Sequence, residues 1–261
     1  MNHWQKYHSR WSLIEPPLRP DPDVIRYFQS FIGPQTQPAL LLGVTPELAD
    51  AFDVVTAVDK NPAMIANVWP GNSGTKTARE GNWLELAEPD ESFAAIIGDG
   101  SLNNLAWVDE IEQLLKRVLA MLKPGSRFAC RLFERPGTGY SQRHLLRVAS
   151  EPATMNFHAF KWQLAMHIAE EKGANIPVAS ILQKFNELLP DRDALADTTG
   201  WRRMTIDTID VYQGSPIVYS FPNRSEFISA IPPTAKDVQF QHCGTYDMAE
   251  CCPILTFRKP D

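Results

Sequence analysis

The chain has 261 residues, 44% of them hydrophobic and 21% charged, with a formal net charge of −6 and a sequence pI near 5.6. That length and apolar content allow one large domain or a domain plus a cap, and the acidic balance argues against a nucleic-acid binder, which carries a basic excess. No run of about 18 apolar residues occurs, so no membrane-spanning helix is expected.

The start, Met1-Asn-His-Trp-Gln-Lys-Tyr-His8, is polar and aromatic and lacks the layout of a signal peptide. The expected location is therefore cytoplasmic, where Cys130, Cys243, Cys251 and Cys252 stay reduced. His242-Cys243 and Cys251-Cys252 match no zinc spacing, and no metal is expected. Residues 1 to 20 form an arm in which Trp4, Tyr7, His8 and Trp11 precede Glu15-Pro-Pro-Leu-Arg-Pro20. The prolines keep it extended, and Arg19 is the best-placed cation there for a substrate carboxylate. Asp21-Pro22 opens a helix with Val24, Phe28 and Phe31 on one face, and Gly33-Pro34 ends it.

Leu40 to Leu42 form an apolar run that stops at Gly43, as in a strand buried on both faces of a parallel sheet. Thr45-Pro46-Glu47 reads as a helix start, with Thr45 as cap. Val54 to Val58 is the next strand, and Asp59 closes it. An acid at the tip of a second strand can accept hydrogen bonds from both hydroxyls of a ribose. With one glycine in the preceding turn rather than three, a pyrophosphate is poorly held, so an adenosyl ligand without phosphates fits better. Asn61-Pro62 starts another helix, Thr77 to Arg79 a third strand, and Phe93 to Ile97 a fourth. The fourth strand runs into Gly98-Asp-Gly-Ser-Leu-Asn-Asn104, at the carboxyl end beside the switch point of an open sheet. A helix follows with Ile111, Leu114, Leu115, Val118 and Leu122 at helical spacing. Lys123-Pro-Gly125 stops it, and Arg127 to Phe133 is the fifth strand.

From Glu134 to Pro233 helical patterns take over. Phe157, Phe160, Leu164 and Ile168 mark one amphipathic helix, and Val178, Ile181, Leu182, Phe185 and Leu189 mark another. Asp207 to Tyr212 fits a short strand, and Asn223 with Glu226 reads as a capping pair. Val238 to His242 and Ile254 to Arg258 supply the last two strands.

Five pieces in order carry a family likeness: Leu40-Leu-Leu-Gly-Val-Thr-Pro-Glu-Leu48, Val58-Asp-Lys-Asn-Pro-Ala-Met64, Gly81-Asn-Trp83, Phe93-Ala-Ala-Ile-Ile-Gly-Asp-Gly100 and Leu122-Lys-Pro-Gly-Ser-Arg-Phe128. Across about residues 38 to 133 the chain resembles class I S-adenosylmethionine-dependent methyltransferases. It departs from them at the glycine turn, where Val44 and Thr45 stand for two of the usual glycines. The resemblance implies an α/β fold: a seven-stranded, mostly parallel, doubly wound sheet with an antiparallel C-terminal edge and a largely helical cap insertion. It divides the chain into the arm (1–20), a Rossmann-like cofactor-binding domain (21–133 and 234–261) and a cap or substrate insertion (134–233). It also implies that the arm folds over the ligand site, against a reading in which its aromatics only pack on the domain.

The resemblance implies S-adenosyl-L-methionine as cofactor, held by Gly43, Val44, Thr45, Asp59, Lys60, Met64, Asn82, Trp83, Asp99 and Gly100. Lys60 and Met64 then line the adenine, Asn82 meets its amino group, and Trp83 stacks or offers its amide. Asp99 faces the sulfonium side or orients the substrate, or else caps the next helix. A cap of this size suits a small-molecule methyl acceptor in an enclosed apolar pocket, with Trp11, Arg19, Tyr140 and Trp162 as substrate contacts. A base is needed only for a protonated acceptor. His158, in Asn156-Phe-His-Ala-Phe160, is the first choice over His144, His167 and Tyr140. Two other readings stay open: a catalytically silent S-adenosylmethionine-binding interaction protein, motivated by the altered glycine turn, and an NAD-dependent oxidoreductase. Nothing in the sequence sets an oligomeric state.

Overall fold

Ala39–Leu42 (β1) is buried at every position, as a strand covered on both faces of a sheet must be. A computed structural model describes residues 13–34 and 36–261. In chain order the further strands are β2 (Val55–Asp59), β3 (Lys76–Glu80), β4 (Phe93–Asp99), β5 (Leu122–Arg131), β6 (Asn175–Pro177), β7 (Val218–Ser220), β8 (Lys236–Gln241) and β9 (Ile254–Arg258). Seven of them form one sheet in the order β3-β2-β1-β4-β5-β9-β8, while β6 and β7 pair separately. The five strands from β3 to β5 are parallel, and β9 and β8 close the edge antiparallel. This is the expected seven-stranded, doubly wound α/β sheet. The order reverses between β1 and β4, where Leu42 is flanked by Val58 and Gly98. A crevice opens at such a reversal because the connecting segments leave in opposite directions.

Proline-led helices set the first layers. α1 (Pro22–Ile32) is capped by the Asp21 carboxylate, which accepts from the Asp23 N–H, and it buries Val24 and Phe28. α2 (Pro46–Ala51) and α3 (Pro62–Val68) begin as the sequence predicts. Asn61 caps α3 through the Ala63 N–H, but Thr45 makes no side-chain cap to α2. α4 (Asp109–Met121) buries Ile111, Leu114, Leu115, Val118 and Met121 as one stripe. It passes straight into β5, which starts at Leu122 and not at Arg127. A register shift opposite Phe93–Ala95 lets Pro124, which has no N–H to give, sit within the strand.

After β5 come α5 (Gln142–Ala149), α6 (Phe157–Lys172), α7 (Val178–Leu188), α8 (Arg192–Thr199), α9 (Arg203–Ile206) and α10 (Arg224–Ala230). α6 is not amphipathic: every residue from Phe157 to Ala169 is buried, His158, Lys161, Gln163 and His167 included. A helix enclosed all round is the centre of a layer, and α6 is the axis of an apolar cluster that extends to Phe133 at the end of β5. Asp207–Tyr212 is a 3₁₀ turn, not a strand. The Asn223–Glu226 capping box is present, and Phe227 of α10 packs in the same cluster as the α4 stripe.

Candidate functional site

The site starts where β1 ends. Gly43 has φ +106° and donates its N–H to the Val58 carbonyl at 2.9 Å. A Cβ built there would stand 3.9 Å from Trp83 Cζ2 and 4.0 Å from Asp59 Oδ2. Bare backbone, an indole and a carboxylate therefore converge on a space that any side chain at residue 43 would enter. Trp83 is fixed there because its Nε1–H donates to the Val58 carbonyl at 2.6 Å. Asp59 Oδ1 accepts from the Asn61 N–H at 2.8 Å. Burial pushes the Asp59 carboxyl up to about 6, against the Asn61 N–H and the Lys60 charge, which pull it down. Such a carboxylate has unmet hydrogen-bonding capacity, and hydroxyl donors would satisfy it.

The second wall is the loop after β4. A Cβ at Gly98 would fall 2.5 Å from Ser101 Oγ, so the absence of a side chain lets Ser101 fold back and donate to the Leu42 carbonyl at 2.6 Å. Asp99 takes a two-pronged ion pair from Arg131 across the strand register, at 2.5 and 3.0 Å, with both side chains buried. Burial works against the Arg131 charge, and the Asp99 carboxylate more than offsets it. Asn103 is fully engaged. It accepts from the Phe133 N–H at 2.9 Å and donates to the Phe133 and Ser220 carbonyls at 2.8 and 2.7 Å. It thereby ties the loop to the end of β5 and to β7. Asn104 donates to the Gly100 carbonyl at 3.0 Å, and its buried Oδ1 has no partner among the described residues.

The third wall is aromatic. Trp162 meets Phe133, Tyr219 and Phe221 edge to face at centroid distances of 5.3, 5.5 and 5.5 Å. All four residues line the same cavity as the first two walls.

Gly43, Val44, Thr45, Asp59, Lys60, Met64, Trp83, Asp99, Gly100 and Trp162 are thus brought together around one cavity. The other candidates lie elsewhere. Asn82 is not in the lining: its side chain accepts from the Leu84 N–H at 3.2 Å and caps the turn Trp83–Glu85. Arg19 pairs with Glu47 of α2, with Nε at 2.7 Å, while its neighbour Leu18 reaches the cavity instead. The Tyr140 hydroxyl contacts Cys251 Sγ at 3.4 Å, away from the lining. Trp11, like Trp4, Tyr7 and His8, lies outside the described residues.

His158 is also not in the lining. Its Nε2 is 2.9 Å from the Leu13 carbonyl, to which it donates. Burial, and after it the Lys161 charge, push its pKa down to about 3. The aromatic neighbours that suggested a base in the sequence are what bury it. Ser101, Asn103 and Asn104 were overlooked as individual residues, although their position after β4 was the available signal. Nothing in the sequence around Tyr219 or Phe221 marks them. Among the described residues no group of three or more His, Cys, Asp or Glu side chains could hold a metal.

Residues 43–130 match the family model for a methyltransferase domain. No curated protein matches the chain by sequence. Among solved structures, an S-adenosylmethionine-dependent methyltransferase from Methanosarcina mazei is 14% identical with a TM-score of 0.52, over 93% of this chain and 99% of that one. The N-methyltransferase NodS from Bradyrhizobium japonicum is 12% identical with a TM-score of 0.50, over 91% and 93%. A protein from Rhodobacter sphaeroides, provisionally described as a zinc-dependent alcohol dehydrogenase, is 10% identical with a TM-score of 0.58, over 100% and 99%. At these identities the neighbours establish the fold and not the chemistry. The domain match adds the class: residues 43–130 carry a methyltransferase domain, similar in fold to the S-adenosylmethionine-dependent neighbour.

Proposed function

We propose that this protein transfers a methyl group from S-adenosylmethionine to a small organic molecule enclosed between the sheet and the segment 134–233. One observation carries the reading: a single cavity is bounded by Gly43, Asp59 and Trp83 on one side and by Phe133, Trp162, Tyr219 and Phe221 on the other. The open space at Gly43 beside the Asp59 carboxylate fits a ribose, which brings two hydroxyl donors and needs close approach of the backbone. Met64, Val68 and Trp83 give the neighbouring surface apolar character, suited to a purine. Asn104 Oδ1, buried and unpartnered, offers an acceptor to an ammonium or amide of the ligand.

In this reading residues 21–133 and 234–261 hold the cofactor, 134–233 form the cap, and 1–20 are the arm, with Leu18 closing one side of the cavity. Four unpaired cysteines support a cytoplasmic location. When bound, the sulfonium cofactor supplies an already activated methyl group, so the chain's own task is alignment and exclusion of water. The aromatic wall excludes water. The Asn103 hydrogen bonds hold that wall in register with the loop after β4. The Arg131 ion pair keeps the Asp99 carboxylate fixed at the border between the two halves of the cavity.

Calorimetric titration with S-adenosylmethionine, S-adenosylhomocysteine and NADH, on wild type and Asp59→Ala, tests the cofactor site. Binding of both adenosyl ligands and not NADH, weakened by the substitution, is expected. Absence of adenosyl binding sinks the reading. Transfer of labelled methyl to a small-molecule acceptor panel then tests the reaction. Cofactor binding with no transfer to any acceptor would move the protein to a silent, interaction-only role.

A further inference from the structure

Lys161 sits directly behind the aromatic wall and is only 1% exposed. Its Nζ lies 5.0 Å from the centroid of the Tyr212 ring and 5.9 Å from that of Trp162. Tyr212 in turn meets the cavity-lining Tyr219 edge to face at 6.2 Å. The titratable groups around Lys161 are the Tyr212 phenol, Tyr219 beyond it, whose ionisation burial opposes, and His158, one turn earlier on α6 and kept neutral by burial. No carboxylate forms an ion pair with Lys161 among the described residues; burial alone acts on it, and pushes its pKa down to about 7. A buried ammonium without an anion is costly to hold, and the nearest cavity-lining residue to this lysine is Trp162.

The cavity wall between Lys161 and the ligand offers one matching donor. Trp162 is 4% exposed, and its Nε1–H is buried without a partner. An unmet indole N–H in an aromatic enclosure costs free energy until a ligand oxygen accepts it. Phe133, Tyr219 and Phe221 line the cavity around it, and the Tyr219 hydroxyl is engaged with Tyr212. The enclosure therefore offers flat apolar contact and the unmet Trp162 donor, with Lys161 behind it and the Asp99 carboxylate, neutralised by Arg131, at its border.

We propose that the methyl acceptor is a phenol, its ring held in this aromatic enclosure and its oxygen accepting from Trp162 Nε1, with Lys161 as a positioning residue whose charge favours the phenolate. The proposal rests on the methyltransferase reading and deepens it. Lys161 lies outside the cavity lining and acts across Trp162, and across Tyr212 to Tyr219, as a field in a low-dielectric surround. On transfer the phenol releases its proton to solvent. The oxygen lone pair forms the O–CH₃ bond, and the electrons of the breaking S–CH₃ bond return to sulfur. The products are an aryl methyl ether, S-adenosylhomocysteine and one proton. A cationic amine acceptor would be repelled by the same charge.

4-Nitrophenol is the probe, because its phenolate absorbs visible light and its phenol does not. The whole protein is titrated with it across pH, with and without S-adenosylhomocysteine. 4-Nitroaniline and 4-nitroanisole serve as ring-matched probes with no phenolic proton. The wild type should bind 4-nitrophenol at least about tenfold more tightly than either control, and the bound probe should ionise at lower pH than the free one. Lys161→Met should keep ring binding and lose the shift in ionisation. Trp162→Phe should weaken the phenolate about fivefold while sparing nitroanisole, the size expected for one hydrogen bond. Equal affinity for all three probes in the wild type overturns the proposal without any variant, as does preferential binding of nitroaniline. Binding of none of them also overturns it. If S-adenosylhomocysteine binds in the same experiment, the cofactor reading survives that failure; if it does not bind while nitrophenol behaves as expected, the cofactor reading fails and the phenol pocket stands.

Discussion

Asp59→Asn should make the protein more stable and its cofactor affinity lower. The Asp59 carboxyl is raised from 3.8 to about 6 by burial, so at neutral pH the folded state holds an anion that the unfolded chain carries more easily. At about 1.4 kcal/mol per pH unit, that difference is worth about 3 kcal/mol. A folded pKa above the unfolded one contributes stability that is fully present below pH 3.8 and lost as pH rises through about 6. Asparagine removes the charge and keeps an oxygen that can accept from the Asn61 N–H. The variant should therefore gain up to about 3 kcal/mol at pH 7.5, of order 5–10 °C in Tm for a chain of this length. The gain should shrink toward zero by about pH 4, where the wild-type carboxyl is itself neutral. Loss of charged hydrogen bonds to ribose hydroxyls should weaken adenosyl binding about 10- to 100-fold. Differential scanning calorimetry from pH 4 to 8, with titration calorimetry at pH 7.5, measures both. A variant less stable than wild type at pH 7.5, or a stability gap that does not change with pH, would refute the reasoning.

Gly43→Ala places a side chain at φ +106° and into the space between Trp83 and Asp59. It should cost about 1–2 kcal/mol of stability and weaken adenosyl binding more than it alters the structure of the sheet, read by melting and titration. Arg131→Met leaves the Asp99 carboxylate buried without its cation and should cost about 3–5 kcal/mol. Adding Asp99→Asn should recover much of that in urea unfolding, since the unpaired charge is gone. His158→Phe should show the opposite pH behaviour to Asp59→Asn. Because the folded pKa of His158 is lowered from 6.5 to about 3, its contribution is present above pH 6.5 and is lost as pH falls toward 3. The variant should lose less stability than wild type between pH 7 and pH 4, by about 3 kcal/mol, and its transfer activity should keep the wild-type pH profile.

The strand ends were legible because their chemistry depends on backbone position. A single glycine after β1, an acid closing β2 and a glycine-flanked acid closing β4 are each local signals, and the parallel sheet brings them to one edge. Helix starts were legible for the same reason: Asp21, Asn61 and Asn223 cap within three residues of themselves. Asn82 shows the limit of local reading. A small polar residue in a turn can serve a ligand or its own backbone, and here its oxygen goes to the Leu84 N–H.

The insertion was legible as helix and not as site. Four apolar positions on α6 implied an amphipathic helix, and the neighbours of His158 in Asn156-Phe-His-Ala-Phe160 made it a candidate base. The structure instead covers α6 on all sides: Tyr212, between β6 and β7, lies over Lys161, and Leu13 meets His158. Which polar residue then approaches the ligand depends on packing between segments far apart in the chain, such as Trp162 against Tyr219 and Phe221. Helical periodicity cannot encode that contact. What the sequence does carry is a pair of neighbours, Lys161 and Trp162, on a helix with too few polar positions to expose both. Once α6 is enclosed, the lysine is forced to neutralise or to find an anion, and the cavity lies across the Trp162 ring from it. Acceptor selectivity on this reading comes from where a charge had to be buried, while the cofactor end is set by where the strands stop.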